Sequence, residues 1–393
     1  MKRLVAFYRF PLGLALGLRL ALSAWLAAVW VVIEPYYPRS ADALRETYGA
    51  LSPSRSLLGR ALFDVWLRWD AVHYLNLAHT GYTRANAADT NYMPLYPSVV
   101  AALKPLTLGR EAPAALLVST LGLMAAAVLF YRLVLDLFDD PELARWSVLV
   151  WAVYPTSFFL LAPFTESLYM ALVLGSLVLL YRRRWLAGGA LAALAGLARI
   201  QGSLLILPFL ALIYQAWRAG GEWKPWRALG GLGLAAGGFL SFMAWRYAQG
   251  LAFLTDSFQQ HSRIIFTDPL RGYLYAVSFA VRVGDYISVS EILSVSLFIL
   301  ITAWMALRPR FQAQPALLLY AVANLALFTS KQTLTASPLQ SANRYVITLF
   351  PAFIGLAAGL LRLPPAWRRF LVSASLAGYL VLSALYALWI FIG

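Results

Sequence analysis

Residues 12–33 read LGLALGLRLALSAWLAAVWVVI, with Arg19 as the only charge. The hydrocarbon core of a bilayer, about 30 Å thick, is crossed by about 20 helical residues. A helix satisfies every backbone N–H and C=O within itself, as lipid demands. The stretch therefore reads as a membrane span. It exceeds the roughly 7–15 apolar residues of a signal-peptide core. With Lys2 and Arg3 ahead of it, it is expected to be a retained first span with a cytoplasmic N-terminus.

Working outward, comparable runs fill most of the 393 residues. Further spans are expected near 112–134, 143–162, 166–181, 186–200, 202–217, 228–247, 289–307, 315–330, 345–361 and 370–391. The pair 186–200 and 202–217 is short and interrupted at Arg199–Gly202. The fold class expected is an all-α polytopic membrane protein of about 11 transmembrane helices, drawn as one domain over 1–393. Composition agrees: 61% hydrophobic residues and 12% charged, against about 25% charged in a soluble domain, with a mean hydropathy of +0.69.

Lys and Arg set the orientation. With the N-terminus inside, the inner segments hold Arg132 and Arg145, Arg182–Arg184, Arg218, Lys224 and Arg227, Arg308 and Arg310, and Arg362, Arg368 and Arg369. The net charge of +15 is thus a topological signal, and nucleic acid is not a partner. The outer segments are 34–111, 248–288 and 331–344. The first has apolar residues at helical spacing around 57–78 and 97–107, as amphipathic helices at the membrane surface would. These three segments hold every His and most of the candidate chemistry. There is no Cys, hence no thiolate site or disulfide. Three His make a zinc site improbable, and no metal or other cofactor is expected. Arg outnumbers Lys, which fits a GC-rich prokaryotic genome and its cytoplasmic membrane.

The first outer segment contains Trp69-Asp70-Ala71-Val72-His73-Tyr74, Gly81-Tyr82 and Asn91-Tyr92-Met93-Pro94-Leu95-Tyr96-Pro97. Asp70 and His73, three apart, share a helical face, and a carboxylate there can take a proton. Glu166 follows Pro163 at the outer end of a span, where a carboxylate is expensive and usually functional. Arg199, Arg263 and Arg344 suit a phosphate, since a guanidinium presents paired donors, and Lys331 can add a point charge. Trp69, Tyr74, Tyr92 and Tyr96 can stack on a sugar or serve as interfacial belt aromatics.

Together these blocks resemble the phosphatidylinositol-glycan class V (PIG-V-like) mannosyltransferases, whose pattern runs W-D-x-x-H, G-Y, F-F-P-L-Y-P. Pro163-Phe164-Thr165-Glu166-Ser167 is similar to the family's P-Y-S-E-S, and Ala198-Arg199-Ile200-Gln201-Gly202 to its T-R-S-N-G. Ala252-Phe253 with Gln260-His261-Ser262-Arg263 resembles the bacterial A-F…Q…W-G-R. Ser341-Ala342-Asn343-Arg344-Tyr345 ahead of Phe350-Pro351 resembles S-x-x-R-Y…F-P. Between Tyr82 and Asn91, where eukaryotic members carry Glu, Asp89 is the only acid.

The resemblance implies the glycosyltransferase superfamily C fold and a multi-pass enzyme acting outside the cytoplasmic membrane. It implies a polyprenyl-phosphate sugar donor, with mannose as the sugar, and a lipid or glycan acceptor. Transfer would be a metal-independent inverting displacement. Asp70 would be the base, His73 and Glu166 its companions, and Arg199, Arg263, Arg344 and Lys331 the phosphate ligands. Trp69, Tyr92, Tyr96, Gln201, Gln260 and His261 would line the sugar and acceptor. The competing readings are a transporter or lipid flippase, expected to carry charges at mid-membrane in repeated halves, and a non-catalytic assembly subunit, in which Asp70 would be dispensable.

Overall fold

The structure is a computed structural model that describes residues 2–36, 48–82, 89–220, 224–334 and 337–392, with the side chains of 2–7, 34, 261 and 262 outside the described set. The expected interaction of His261 therefore lies outside the described residues. The described chain is overwhelmingly helical. Six helical stretches are long and apolar enough to cross a bilayer: Tyr8–Ile33, Glu111–Phe138, Ile200–Arg218, Pro225–Ala248, Tyr286–Ala306 and Pro365–Ala387. Their outward side chains are apolar, among them Leu20 and Val32 in the first, Leu229 and Leu240 in the fourth, and Leu293 and Leu300 in the fifth. A surface so poor in polar atoms matches lipid rather than water.

Three more apolar helices, Glu166–Tyr181, Trp185–Ala198 and Pro315–Ser330, are shorter. At 1.5 Å per residue they run only about 20–24 Å. Two of the eleven expected spans are not single helices. The one placed at 143–162 stops at Ala152 and resumes as a 3-10 turn over Ser157–Leu160. Pro155 lies in the gap; it lacks an N–H and disfavours helical geometry at Tyr154. The one placed at 345–361 is a pair, Ala342–Thr348 and Phe350–Leu360, bent by 80°. Pro351 is the second residue of the second member.

Two compact units can be described within the chain. Unit 1 comprises residues 1–128, 148–171 and 364–392; unit 2 comprises 129–147 and 172–363. In unit 1 the described residues between 48 and 107 form short helices at Leu57–Leu62, Asp70–Thr80 and Leu95–Leu103, in the two regions where helical spacing was read. Asp64 anchors the first of them. Its buried carboxylate accepts from the Ser54 N–H (2.6 Å) and hydroxyl (2.9 Å), and burial raises its pKa against those bonds.

In unit 2, helices Trp185–Ala198 and Pro225–Ala248 touch backbone to backbone. A Cβ on Gly189 would stand 2.1 Å from the Gly231 carbonyl oxygen, and one on Gly238 would stand 2.1 Å from that of Ala193. Small residues that admit such an approach are how apolar helices associate in lipid. The interruption expected at Arg199–Gly202 is present. Arg199 is extended (φ −152°, ψ 149°) and a 3-10 turn follows over Ile200–Leu205. One element had no sequence signal: an antiparallel ribbon pairing Ile264–Phe266 with Lys331–Thr333, Ile264 opposite Thr333 and Phe266 opposite Lys331.

Candidate active site

Unit 1 gathers the acids. Asp70 is the first residue of its helix, where the helix dipole favours a carboxylate. It follows Trp69, whose φ of 53° and ψ of −128° are strained for a residue with a Cβ. Such strain persists only when the surroundings impose it, and it concentrates at functional sites. Here the imposing contacts are aromatic: the Trp69 ring meets Trp389 and Phe391 edge-on at 6.0 and 5.2 Å. The neighbouring Arg68 is tied to the Ala387 carbonyl and lies over the Trp389 ring.

The Tyr92 hydroxyl donates to Asp70 at 3.4 Å. The Tyr92 ring stacks on His73 at 5.1 Å and is met edge-on by Tyr74 at 5.0 Å. Asp70 and His73 thus share the helical face expected from their spacing, and Tyr92 meets both from a later stretch of the chain. His73 does not bond Asp70: its Nδ1 lies 3.0 Å from Asp89 Oδ1. That hydrogen bond, with the nearby Asp70 charge adding to it, raises the His73 pKa above its ordinary value. Among the described residues, the Asn91 carboxamide and the Trp69 indole N–H have no hydrogen-bond partner. Asn91 was quoted in the motif without being given a role, and its amide now stands next to Tyr92 in sequence with both ends available.

Tyr96 is fully buried, its hydroxyl on the Ala115 carbonyl (3.3 Å) and Ser119 (3.1 Å). This puts it in the framework behind the Asp70 face, with no ring face open for stacking. Glu166 is also fully buried, at the start of its helix, and acts electrostatically on Tyr96. The turn before it is held by two side chains. Ser119 donates to the Ala162 carbonyl at 2.7 Å. Arg19, missed because it lies inside the first span, donates to the Leu161 carbonyl and to Thr120.

Unit 2 gathers the cations. Arg199, Arg344 and Lys331 all address one aromatic ring, Tyr345, at 5.4, 5.3 and 4.8 Å. The arginines are 7% and 6% exposed, so both guanidinium groups sit where water screens them poorly. Gln201 accepts from Arg199 Nε at 3.2 Å, which makes it an orienting partner. Lys331 donates to the Tyr345 hydroxyl (3.1 Å) and the Gln340 carbonyl (3.2 Å). Arg263, left-handed at φ 50°, is exposed and precedes the ribbon; its carbonyl accepts from Leu334 N–H. Gln260 is exposed on the helix Leu254–Ser262, without a described tie to the three cations. Tyr345 was legible only as part of a motif. Among the described residues, no group of three His, Asp or Glu side chains is placed to hold a metal.

The model for mannosyltransferases (PIG-V) matches residues 22–215. GPI mannosyltransferase 2 from Yarrowia lipolytica is 27% identical over 192 residues, 48% of this chain and 49% of that protein. The match thus spans about half the length of that relative. Among solved structures, ArnT from Cupriavidus metallidurans bound to undecaprenyl phosphate aligns with a TM-score of 0.53 at 14% identity, over 96% of this chain and 76% of that one. The apo state of the same protein gives 0.51 at 16% identity, over 93% and 77%. At such identities the likeness is one of fold. The chain is a multi-pass membrane protein that shares the fold of these structures, and its residues 22–215 are similar to the mannosyltransferases (PIG-V).

Proposed function

We propose that this chain is a membrane glycosyltransferase that moves a sugar, mannose by family, from a polyprenyl phosphate to a hydroxyl of a lipid-linked or glycan acceptor. The observation that carries the reading is the meeting of Arg199, Lys331 and Arg344 on the Tyr345 ring. Three cations held close in a poorly screened setting repel one another. An anion relieves that repulsion, and guanidinium pairs suit phosphate oxygens. The ArnT relative was solved with undecaprenyl phosphate, a ligand with the same phosphate chemistry.

Transfer would proceed as one displacement. The acceptor oxygen bonds to C1 of the sugar as the C1–phosphate oxygen bond breaks, and configuration inverts. The acceptor proton passes to the Asp70 carboxylate, and the electron pair leaves with the polyprenyl phosphate. Charge rising on that phosphate is met by cations already in place, the kind of fixed electrostatic complement that lowers barriers most. Tyr92, bonded to Asp70, orients the carboxylate. His73, bonded to Asp89, stands near it, and Glu166 is a further acid of the same unit. The metal independence of this scheme rests on the family resemblance, and the outer-face location on the basic inner segments.

The test is incubation of the purified full chain with radiolabelled polyprenyl-phosphate mannose and a lipid extract of its host membrane. Label appearing in a new lipid or glycan product supports the reading. Failure with mannose and with a panel of other polyprenyl-phosphate sugars would overturn it. The broken helix at Arg199–Ile200 would then favour the transporter or flippase reading, to be checked by lipid translocation in vesicles.

A further inference from the structure

Glu291 lies within the helix Tyr286–Ala306, is fully buried, and has no part in the scheme above. A carboxylate inside a membrane-spanning helix is expensive and is retained for a purpose. Its surroundings are specific. Ser337 donates its hydroxyl to Glu291 Oε2. The backbone N–H groups of Ser341 and Ala342 lie beside the carboxylate, and Lys331 is near enough to act on it electrostatically. One residue earlier and three later on the same helix, Ser290 accepts from Asn343 Nδ2 at 2.8 Å and Ser294 donates to Asn343 Oδ1 at 2.7 Å. Three side chains of one helix therefore clasp the segment 337–343.

That segment sets the geometry of the cation cluster. Ser341 is left-handed at φ 74°, a conformation that a residue with a Cβ keeps only when its neighbours impose it. It immediately precedes the turn Ala342–Tyr345, which bears Arg344 and the Tyr345 ring. The Gln340 carbonyl within the clasped stretch receives Lys331. Releasing the clasp frees the turn, and with it two of the three cations and the ring on which they meet. We propose that Glu291 is a positioning residue for the lipid-phosphate site, acting by mooring residues 337–343 and not by touching substrate. The inference rests on reading the cations as the phosphate site.

The test measures binding of undecaprenyl phosphate to the full chain in detergent, so it does not depend on an acceptor or on turnover. Wild type is compared with Arg344→Ala, Glu291→Ala, Glu291→Gln and Ser337→Ala, with thermal unfolding recorded for each. The glutamine keeps an oxygen that accepts and an NH2 that can meet the Ser337 oxygen, so it preserves the mooring without the charge. Expected are a loss of at least tenfold for Arg344→Ala and Glu291→Ala, a smaller loss for Ser337→Ala, and Glu291→Gln within about threefold of wild type. In the double variant Glu291→Ala/Arg344→Ala the two losses should not add, because the first acts through the second. If Arg344→Ala weakens binding and folded Glu291→Ala and Ser337→Ala bind like wild type, the mooring role is overturned and the phosphate site stands. Should Glu291→Ala not fold, Ser337→Ala decides alone. If Glu291→Gln loses as much as Glu291→Ala, charge rather than mooring is at work, and the inference is overturned. If Arg344→Ala binds as well as wild type, the phosphate reading itself fails and this inference falls with it.

Discussion

Replacing Tyr345 by phenylalanine and by leucine separates the two ways this residue gathers cations. Phenylalanine keeps the ring under Arg199, Arg344 and Lys331 and removes the hydroxyl that accepts from Lys331 at 3.1 Å. Lys331 retains the Gln340 carbonyl, so the loss is that of one hydrogen bond, about 1 kcal/mol, or roughly fivefold. Leucine removes the ring as well. Three cation–π contacts at a partly exposed ring contribute about 0.5–1 kcal/mol each. Together they make about 1.5–3 kcal/mol, a further 10- to 150-fold by the usual conversion of 1.36 kcal/mol per decade. The contacts share one ring and will not be fully additive, so a loss of about tenfold beyond phenylalanine, at the low end of that range, is expected. The assay is initial-rate transfer from polyprenyl-phosphate mannose at varied donor. The loss should appear mainly as a raised donor KM, because the ring organises binding and does not touch the transferred proton. If leucine and phenylalanine behave alike, the ring does not organise the cations and the reasoning is refuted.

The bond from Asp89 raises the His73 pKa, so the folded protein binds that proton more readily than the unfolded chain. The stabilisation is complete below about pH 6.5, the ordinary histidine value, and is lost as pH rises through the raised one. Thermal midpoints of wild type should fall more steeply than those of Asp89→Asn on going from about pH 6 to pH 8; parallel curves would contradict the pairing. Gly231→Val should lower the thermal midpoint sharply, since even a Cβ would stand 2.3 Å from the Trp185 carbonyl oxygen and overpacking costs about 1–3 kcal/mol or more. A midpoint within a degree or two of wild type would mean that the helices have room to part. Gln201→Ala, which frees Arg199 Nε, should weaken undecaprenyl phosphate binding by about three- to tenfold, the worth of one hydrogen bond to a charged group at partial loss; unchanged binding would separate Arg199 from the site.

Much of the unit 1 site was legible because helical spacing carries it. Asp70 and His73 lie on one short helix, and the positions i and i+3 are neighbours whatever the surroundings. The partner that His73 takes, Asp89, was not legible, because it lies 16 residues further along, beyond the end of that helix. Tyr96 read as a candidate platform because interfacial tyrosines look alike in sequence; only packing shows the hydroxyl spent on Ala115 and Ser119. In unit 2 the individual cations were visible as charges beside apolar runs. One of them, Lys331, begins a strand in a ribbon of two three-residue strands, too short for any alternation to register. Glu291 stood inside a run that hydropathy alone assigned to lipid, and its partners come from residues about 50 positions later. The span drawn through Pro155 failed for a local reason, since the apolar run continues while the proline ends the helix.

The most direct test of the central claim compares wild type with Asp70→Asn in single-turnover transfer from radiolabelled polyprenyl-phosphate mannose, with donor saturating. Asparagine keeps the shape and the contact with the Tyr92 hydroxyl and cannot take the acceptor proton. The account predicts a rate at least about a hundredfold lower, the scale of losing a general base, with undecaprenyl phosphate binding unchanged. Transfer by Asp70→Asn at the wild-type rate would contradict it and remove Asp70 from the chemistry.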